Sequence, residues 1–246
     1  MAWFEELGFA DNPFDTDPAA SVRSAVSLDK PLDELEYHVR SGSIIFVEGP
    51  SGSGKSVLLK ALAGKFGGRA VFVDGDSDSV DIRSVIRKKT SLLDRLFGNS
   101  PKNLVLLADN AAGLSAGSME LVKYHYDNNN FGAVVFAGES LKSAGFSPAV
   151  LDRIGTRVIR LHLLSEDEAV VLVRNRLGSS AILGDGAIRK IYKMSGKNAK
   201  SFLELCDKAC AAAVASKSPE ITGEHLDSIK AGVPLGKSGK RGFVNG

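Results

Sequence analysis

The sequence predicts an α/β fold: a parallel sheet sandwiched by helices, followed by a small C-terminal helical domain. Three observations predict it. Short apolar runs at 44–47, 70–73, 104–108 and 133–137, with a weaker one, "RVIRLHL", at 157–163, alternate with helical patterns. The runs are continuous rather than alternating, as expected of parallel strands buried on both faces. After residue 164 only helical patterns remain.

Taken in order, residues 1–30 read as irregular, with turn residues in "DNPFDTDP". A helix is predicted over 31–40, with Pro31 in its first turn and Leu32, Leu35 and Val39 on one side. Helices follow the first three strands at 55–66, at 80–97 (Val80, Val85, Leu92, Leu96) and at 116–127. "SEDEAVVLVRNRLG" carries a capping box, Ser165 with Glu168, and Gly178 as its stop. Further helices are predicted at 186–194, at 199–216 behind Asn198, and at 223–231 behind Thr222. The expected division is a core at 1–164, a helical domain at 165–232 and a Gly- and Lys-rich tail at 233–246, expected to be disordered.

Composition narrows the class. Hydrophobic residues make up 43% of the 246 and charged residues 24%, as in ordinary globular domains. A net charge of +2 gives no global basic excess that would argue for nucleic acid, although a local patch can still do so. Cys206 and Cys210 share one helix face without a metal-ligand cluster, and read as small core residues in a reducing compartment. The opening "MAWFEELGFADNPF" lacks the basic region and long apolar run of a signal peptide. No apolar stretch reaches the ~20 residues of a membrane span. A cytoplasmic location is expected.

The strongest signal is "VEGPSGSGKS" at 47–56. Gly49, Gly54, Lys55 and Ser56 match G-x-x-x-x-G-K-[ST], between a strand and a helix. Glycines let the backbone wrap so that successive N–H groups face phosphate oxygens, and the helix offers its positive end to the same anion. The expected nucleotide-binding set is Gly49, Pro50, Ser51, Gly52, Ser53, Gly54, Lys55, Ser56 and Val57. Lys55 reaches toward the β- and γ-phosphates, and Ser56 supplies an oxygen ligand to Mg²⁺. The loop implies a nucleoside triphosphate without choosing adenine or guanine. The competing reading, a Gly/Ser turn that happens to hold a lysine, leaves the flanking strand and helix unexplained.

"NLVLLADN" reads as a buried strand ending in Asp109, placed to hold the Mg²⁺ shell from the side opposite Ser56. Many nucleotide hydrolases follow this Asp with Glu; here Asn110 follows. An amide orients a water but accepts no proton, so slow hydrolysis and a long-lived ATP state are expected. Glu139, ending the next strand in "VVFAGES", is a candidate substitute acid or γ-phosphate sensor, with an exposed loop carboxylate as the plain alternative.

With these residues in place the chain resembles the AAA+ ATPases, P-loop NTPases with a helical lid. Within them it is most similar to the ExeA, TniB and MuB group, with the Orc/Cdc6 origin-recognition ATPases as relatives. "LGFADNPF" is similar to that group's N-terminal segment near the adenine, which implies ATP. "FSPAVLDRIGTRVIRLHLLSEDEA" resembles the arginine-finger region running into the lid. The likeness makes Arg153 the first finger candidate and Arg157 the second, and a finger acting on a neighbour's nucleotide implies a homo-oligomer. A surface ion pair is the competing role for either arginine. "SGKNAKSFLELCDKA" resembles the lid stretch in which Lys200 takes the sensor-2 arginine position, keeping charge but losing the bidentate fork. "ITGEHLDSIKAG" matches the group's final lid helix. An initiator carries a further winged-helix domain; only a short tail follows here, which weakens the initiator reading.

The functional expectation is an ATP- and Mg²⁺-binding ATPase that oligomerises and acts as a DNA-associated or regulatory factor. The alternatives are an ATP-switched protein-assembly factor of secretion or envelope type without DNA contact, and a nearly inactive ATP-binding scaffold. The basic stretch "RSVIRKK" (Arg83, Arg87, Lys88, Lys89) separates the first two, though such a run is more often a solvated helix face. Acidic "DGDSDSVD" at 74–81 fits no calcium loop and reads as a solvated turn.

Overall fold

The computed structural model describes residues 2–76, 81–89 and 102–231. They form two compact units, one from the described residues of 18–163 and one from residues 2–17 with 164–231.

The larger unit holds α2 (Pro18–Ser21), α3 (Asp29–Arg40), β1 (Ile44–Glu48), α4 (Lys55–Phe66), β2 (Ala70–Asp74) and α5 (Ile82–Lys89). It continues with β3 (Leu104–Asp109), α6 (Ala116–Asp127), β4 (Phe131–Gly138), α7 (Pro148–Ile154) and β5 (Val158–Arg160). The strands form one parallel sheet in the order β2-β3-β4-β1-β5. Because successive residues point to opposite faces, each strand serves two cores. Ile44, Phe46, Leu106, Val134 and Phe136 face Ile82, Met119, Val122 and Val150 of α5, α6 and α7. Ile45, Val47, Leu107 and Val135 face Leu35, Leu58, Leu59 and Leu62 of α3 and α4. This double burial is why the strands read as continuous apolar runs.

The smaller unit holds α1 (Trp3–Glu6), α8 (Glu166–Leu177), α9 (Asp185–Met194), α10 (Ala199–Ala215) and α11 (Gly223–Ala231). The Ser165–Glu168 capping box is present, and Asn198 accepts from the Ser201 N–H at 3.1 Å. Fully buried Tyr192 packs edge-on against Phe202 and donates from its hydroxyl to the Leu164 and Lys197 carbonyls at 2.5 and 3.2 Å. Cys206 and Cys210 are buried free thiols, and burial pushes Cys210 up to about 12, so both stay protonated.

Three expectations change. Residues 1–30 contain short helices, Trp3–Glu6 and Pro18–Ser21, and a 3₁₀ turn at Val22–Ser24. Residues 1–17 pack with the helical unit, not with the sheet to which the expected division assigned them. Trp3 Nε1 and Asn12 Nδ2 both donate to Asp207 Oδ1, at 2.8 and 2.9 Å, and Arg176 donates to the Pro13 and Asp15 carbonyls. Buried Phe14 stacks on Trp3. The fifth strand spans Val158–Arg160 rather than 157–163, because its pairing with β1 runs from Phe46–Val158 to Glu48–Arg160, where β1 itself ends. Of the helix predicted at 80–97, Ile82–Lys89 is described; the remainder and the tail from 232 lie outside the described residues.

Candidate nucleotide site

Parallel strands gather the candidate residues along one edge of the sheet. β1 runs directly into the loop at Gly49, β3 ends at Asp109, and β4 ends at Gly138 with Glu139 next. These strands are neighbours, in the order β3-β4-β1. Their C-terminal ends therefore lie side by side, where open α/β sheets hold their ligands.

The loop is wound too tightly for side chains at its start. A Cβ on Gly49 would lie 2.6 Å from Ser53 Oγ and 2.8 Å from the Leu161 carbonyl oxygen. Gly52 and Gly54 take φ of 82° and 90°, the left-handed region that glycine enters without penalty. Gly54 then opens α4, and Lys55 and Ser56 are that helix's first residues. Ser53 Oγ is buried and has no hydrogen-bond partner among the described residues. An orphaned donor inside a glycine cradle at a helix N-terminus is an arrangement that an anion satisfies.

Lys55 Nζ donates to the Gly49 and Pro50 carbonyls at 2.6 and 3.0 Å. Burial lowers its pKa, while the charges of Asp109 and Glu139 act in the opposite sense. Lysine, Asp109 and Glu139 thus share one electrostatic neighbourhood. Mg²⁺ takes few protein ligands and keeps several waters, so Ser56 and Asp109 fit it without a larger cluster. Among the described residues no group of three or more His, Cys, Asp or Glu could hold a metal.

Asn110 stands in the left-handed region at φ 46°, and its side-chain amide donates to Asp76 Oδ1. Its backbone N–H donates to Asp109 Oδ1 at 3.1 Å. Glu48, just before the loop, accepts from the Leu141 N–H at 3.0 Å and from Arg160 Nε at 2.9 Å. The Asp76 contact and the Glu48–Arg160 pair were missed from sequence. Asp76 lies in the acidic turn that reads there as merely solvated.

Arg153 lies elsewhere. It lies in the last turn of α7, before β5 begins, and pairs with Asp127 at 2.7 Å, at the end of α6. Nearby, the Tyr126 hydroxyl donates to the Gly42 carbonyl, ahead of β1. Arg153 is therefore at the sheet's N-terminal edge, opposite the loop of its own chain. Its ion-pair partner is Asp127, across the helices. Arg157 is engaged by backbone, donating to the Ile44 and Arg153 carbonyls, which gives it a structural role. Lys200 is exposed on the first turn of α10.

The family model described as ABC transporter matches residues 32–196, more than half of the chain. The chain belongs to this family of P-loop ATPases. A curated relative, the sulfate/thiosulfate import ATP-binding protein CysA of Bordetella pertussis, is 38% identical over 55 residues, 21% of this chain and 16% of that protein. The chain thus matches less than a quarter of the length of its curated relatives. The fold is of AAA+ type. Cdc6p of Pyrobaculum aerophilum superposes with a TM-score of 0.70 at 15% identity, over 94% of this chain and 73% of that one. The Orc1 protein of Aeropyrum pernix, solved in complex with DNA, gives 0.65 at 15% identity, over 86% and 66%. No helix among the described residues is long and apolar enough to cross a membrane.

Proposed function

We propose that this chain binds ATP with Mg²⁺ and hydrolyses it slowly, as an oligomerising, DNA-associated factor of the ExeA, TniB and MuB kind. The observation that carries this is the convergence of Lys55, Asp109 and Glu139 on one sheet edge beside a glycine loop. In this reading loop N–H groups and the start of α4 hold the phosphates, and Lys55 leaves its two carbonyls to neutralise the β- and γ-oxygens. Ser56 and Asp109 would hold the Mg²⁺, which would supply positive charge to offset that developing on the phosphoryl oxygens. Water attacks the γ-phosphorus, the bond to the β–γ bridging oxygen breaks, the electron pair leaves with ADP, and the water's proton passes to a phosphate oxygen. Asn110 orients that water without taking its proton, which makes turnover slow. Glu139 acts on Lys55 and so reports whether the γ-phosphate has drawn the ammonium away.

Oligomerisation is supported by the place of Arg153. From the N-terminal edge it serves a nucleotide only on another copy. Its exposed pair with Asp127 is a weak tie that leaves it exchangeable. DNA association is supported by α5, whose Ile82 and Ile86 are buried while Arg83, Arg87, Lys88 and Lys89 face solvent, and by the DNA complex of the Aeropyrum relative in fold.

The test is steady-state ATP turnover with and without duplex DNA, with Lys55→Ala as the blank. We expect basal turnover below the ~1 s⁻¹ lower bound of typical enzymes, and stimulation by DNA that weakens as salt rises. Turnover that is above the blank but indifferent to DNA would sink the DNA-associated reading and favour a protein-assembly factor.

A further inference from the structure

We propose that Asp76, at the exit of β2, is a positioning residue for hydrolysis: it holds the Asn110 amide so that the amide oxygen faces the attacking water, and lends that oxygen negative charge. The inference rests on the hydrolytic reading above.

The orientation follows from chemistry. An ionised carboxylate only accepts hydrogen bonds, so the Asn110 group facing Asp76 is the amide nitrogen. That leaves Oδ1 as the acceptor for a water O–H. A hydrogen bond to a charged acceptor is about twice as strong as a neutral one, and it polarises the amide so that its oxygen becomes the better acceptor. A lone amide lacks that negative charge; an amide backed by a carboxylate recovers part of it.

The backbone also places the pair on the reacting edge. Asp74 is level with Asp109 in the β2–β3 register, so the two strands deliver Asp76 and Asn110 to the same place. The Gly75 N–H donates to the Asp109 carbonyl at 2.9 Å, and the Asp76 N–H to Asp74 Oδ1 at 3.0 Å. A Cβ on Gly75 would fall 2.1 Å from the Asn110 carbonyl oxygen, and one on Gly113 would fall 2.4 Å from the Gly75 carbonyl oxygen. The two turns are thus in backbone contact, which brings the two side chains within reach of each other. Glu139 leaves the sheet from β4, and its charge falls on Lys55 instead.

The experiment compares wild type, Asp76→Asn, Asn110→Asp, the exchange of both residues, and Lys55→Ala as the blank, each by steady-state kinetics and thermal unfolding with and without Mg-ATP. Loss of the carboxylate should lower kcat on the order of 10-fold, below the ~10²–10⁴-fold of a positioned acid–base group, because Asp76 acts only through Asn110. KM, the unfolding midpoint and its shift by ATP should not move, because the polar contacts of Asp76 are with Asn110 and Asp74, not with the glycine loop. The exchange restores a carboxylate–amide pair in reverse and should turn over faster than Asn110→Asp alone, in which two carboxylates face each other. An unchanged or raised kcat in Asp76→Asn overturns the proposal, as does a loss that tracks a lowered midpoint or an exchange no faster than Asn110→Asp alone. Wild-type turnover at the level of the blank overturns the hydrolytic reading itself, and this inference with it.

Discussion

Alanine in place of Lys55 is expected to leave a folded protein that no longer turns over ATP. The ammonium is the one cation that the loop supplies, and its neighbours Asp109 and Glu139 are both negative. Without it, the triphosphate faces two carboxylates with only loop amides and metal to offset them. Removing one donor aimed at developing charge costs about 10²–10³ in kcat, and here a full charge is lost as well. The fold responds in the opposite sense. Burial lowers the Lys55 pKa, so between that lowered value and the ordinary one the unfolded chain holds the proton more tightly. Stability contributed by this group therefore rises with pH across that window, and at neutral pH the charged ammonium is a cost to folding. Lys55→Ala removes that cost, so its unfolding midpoint without nucleotide should equal or exceed that of wild type. Saturating Mg-ATP stabilises a binding-competent protein by roughly 2.7 kcal/mol at a hundred times Kd, and the variant should lose most of this shift. Retained turnover, or a full ATP-induced shift, would remove Lys55 from its assigned place.

The parts of this site legible in the sequence are those whose chemistry depends on local spacing. The glycine loop spans a few residues between a strand and a helix, and its spacing alone encodes backbone N–H groups facing an anion. Asp109 was legible because the apolar run before it marked where a buried strand ends. The sheet was legible because two-sided burial imposes continuous apolar runs. What escaped depends on which strands become neighbours. Asp76 and Asn110 are 34 residues apart and meet only because β2 and β3 are adjacent in register. The Arg153–Asp127 pair likewise needs the ends of α6 and α7 brought together. The opening segment was read as irregular because its ordering comes from Asp207 and Arg176, far along the chain. Nothing local in "LGFADNPF" announces them.

Gly75→Ala is expected to cause the largest structural loss of any single methyl group added at this edge. The new Cβ would sit 2.1 Å from the Asn110 carbonyl oxygen and 3.3 Å from that of Asp109. Both obstacles are backbone, which cannot swing aside as a side chain does. Asn110 is in the left-handed region and Gly75 donates to the Asp109 carbonyl at 2.9 Å, so relief means moving the end of β3 itself. Overpacking costs typically 1–3 kcal/mol, and backbone obstruction places this case at or above the upper end. The functional loss should be larger still, because the displaced atoms carry Asp109 and Asn110. Misplacement of about 1 Å costs on the order of 10²-fold in rate. Gly64→Ala is the matched control. Gly64 lies within α4, and a Cβ there meets nothing within 4 Å. Alanine in a helix interior is favoured over glycine by about 1 kcal/mol, so this variant should unfold later and keep wild-type turnover. Thermal unfolding and turnover of the two variants check the contrast. If Gly75→Ala unfolds and turns over like wild type, the β2 and β3 exits are not interlocked, and the shared placement of Asp76, Asp109 and Asn110 loses its physical basis.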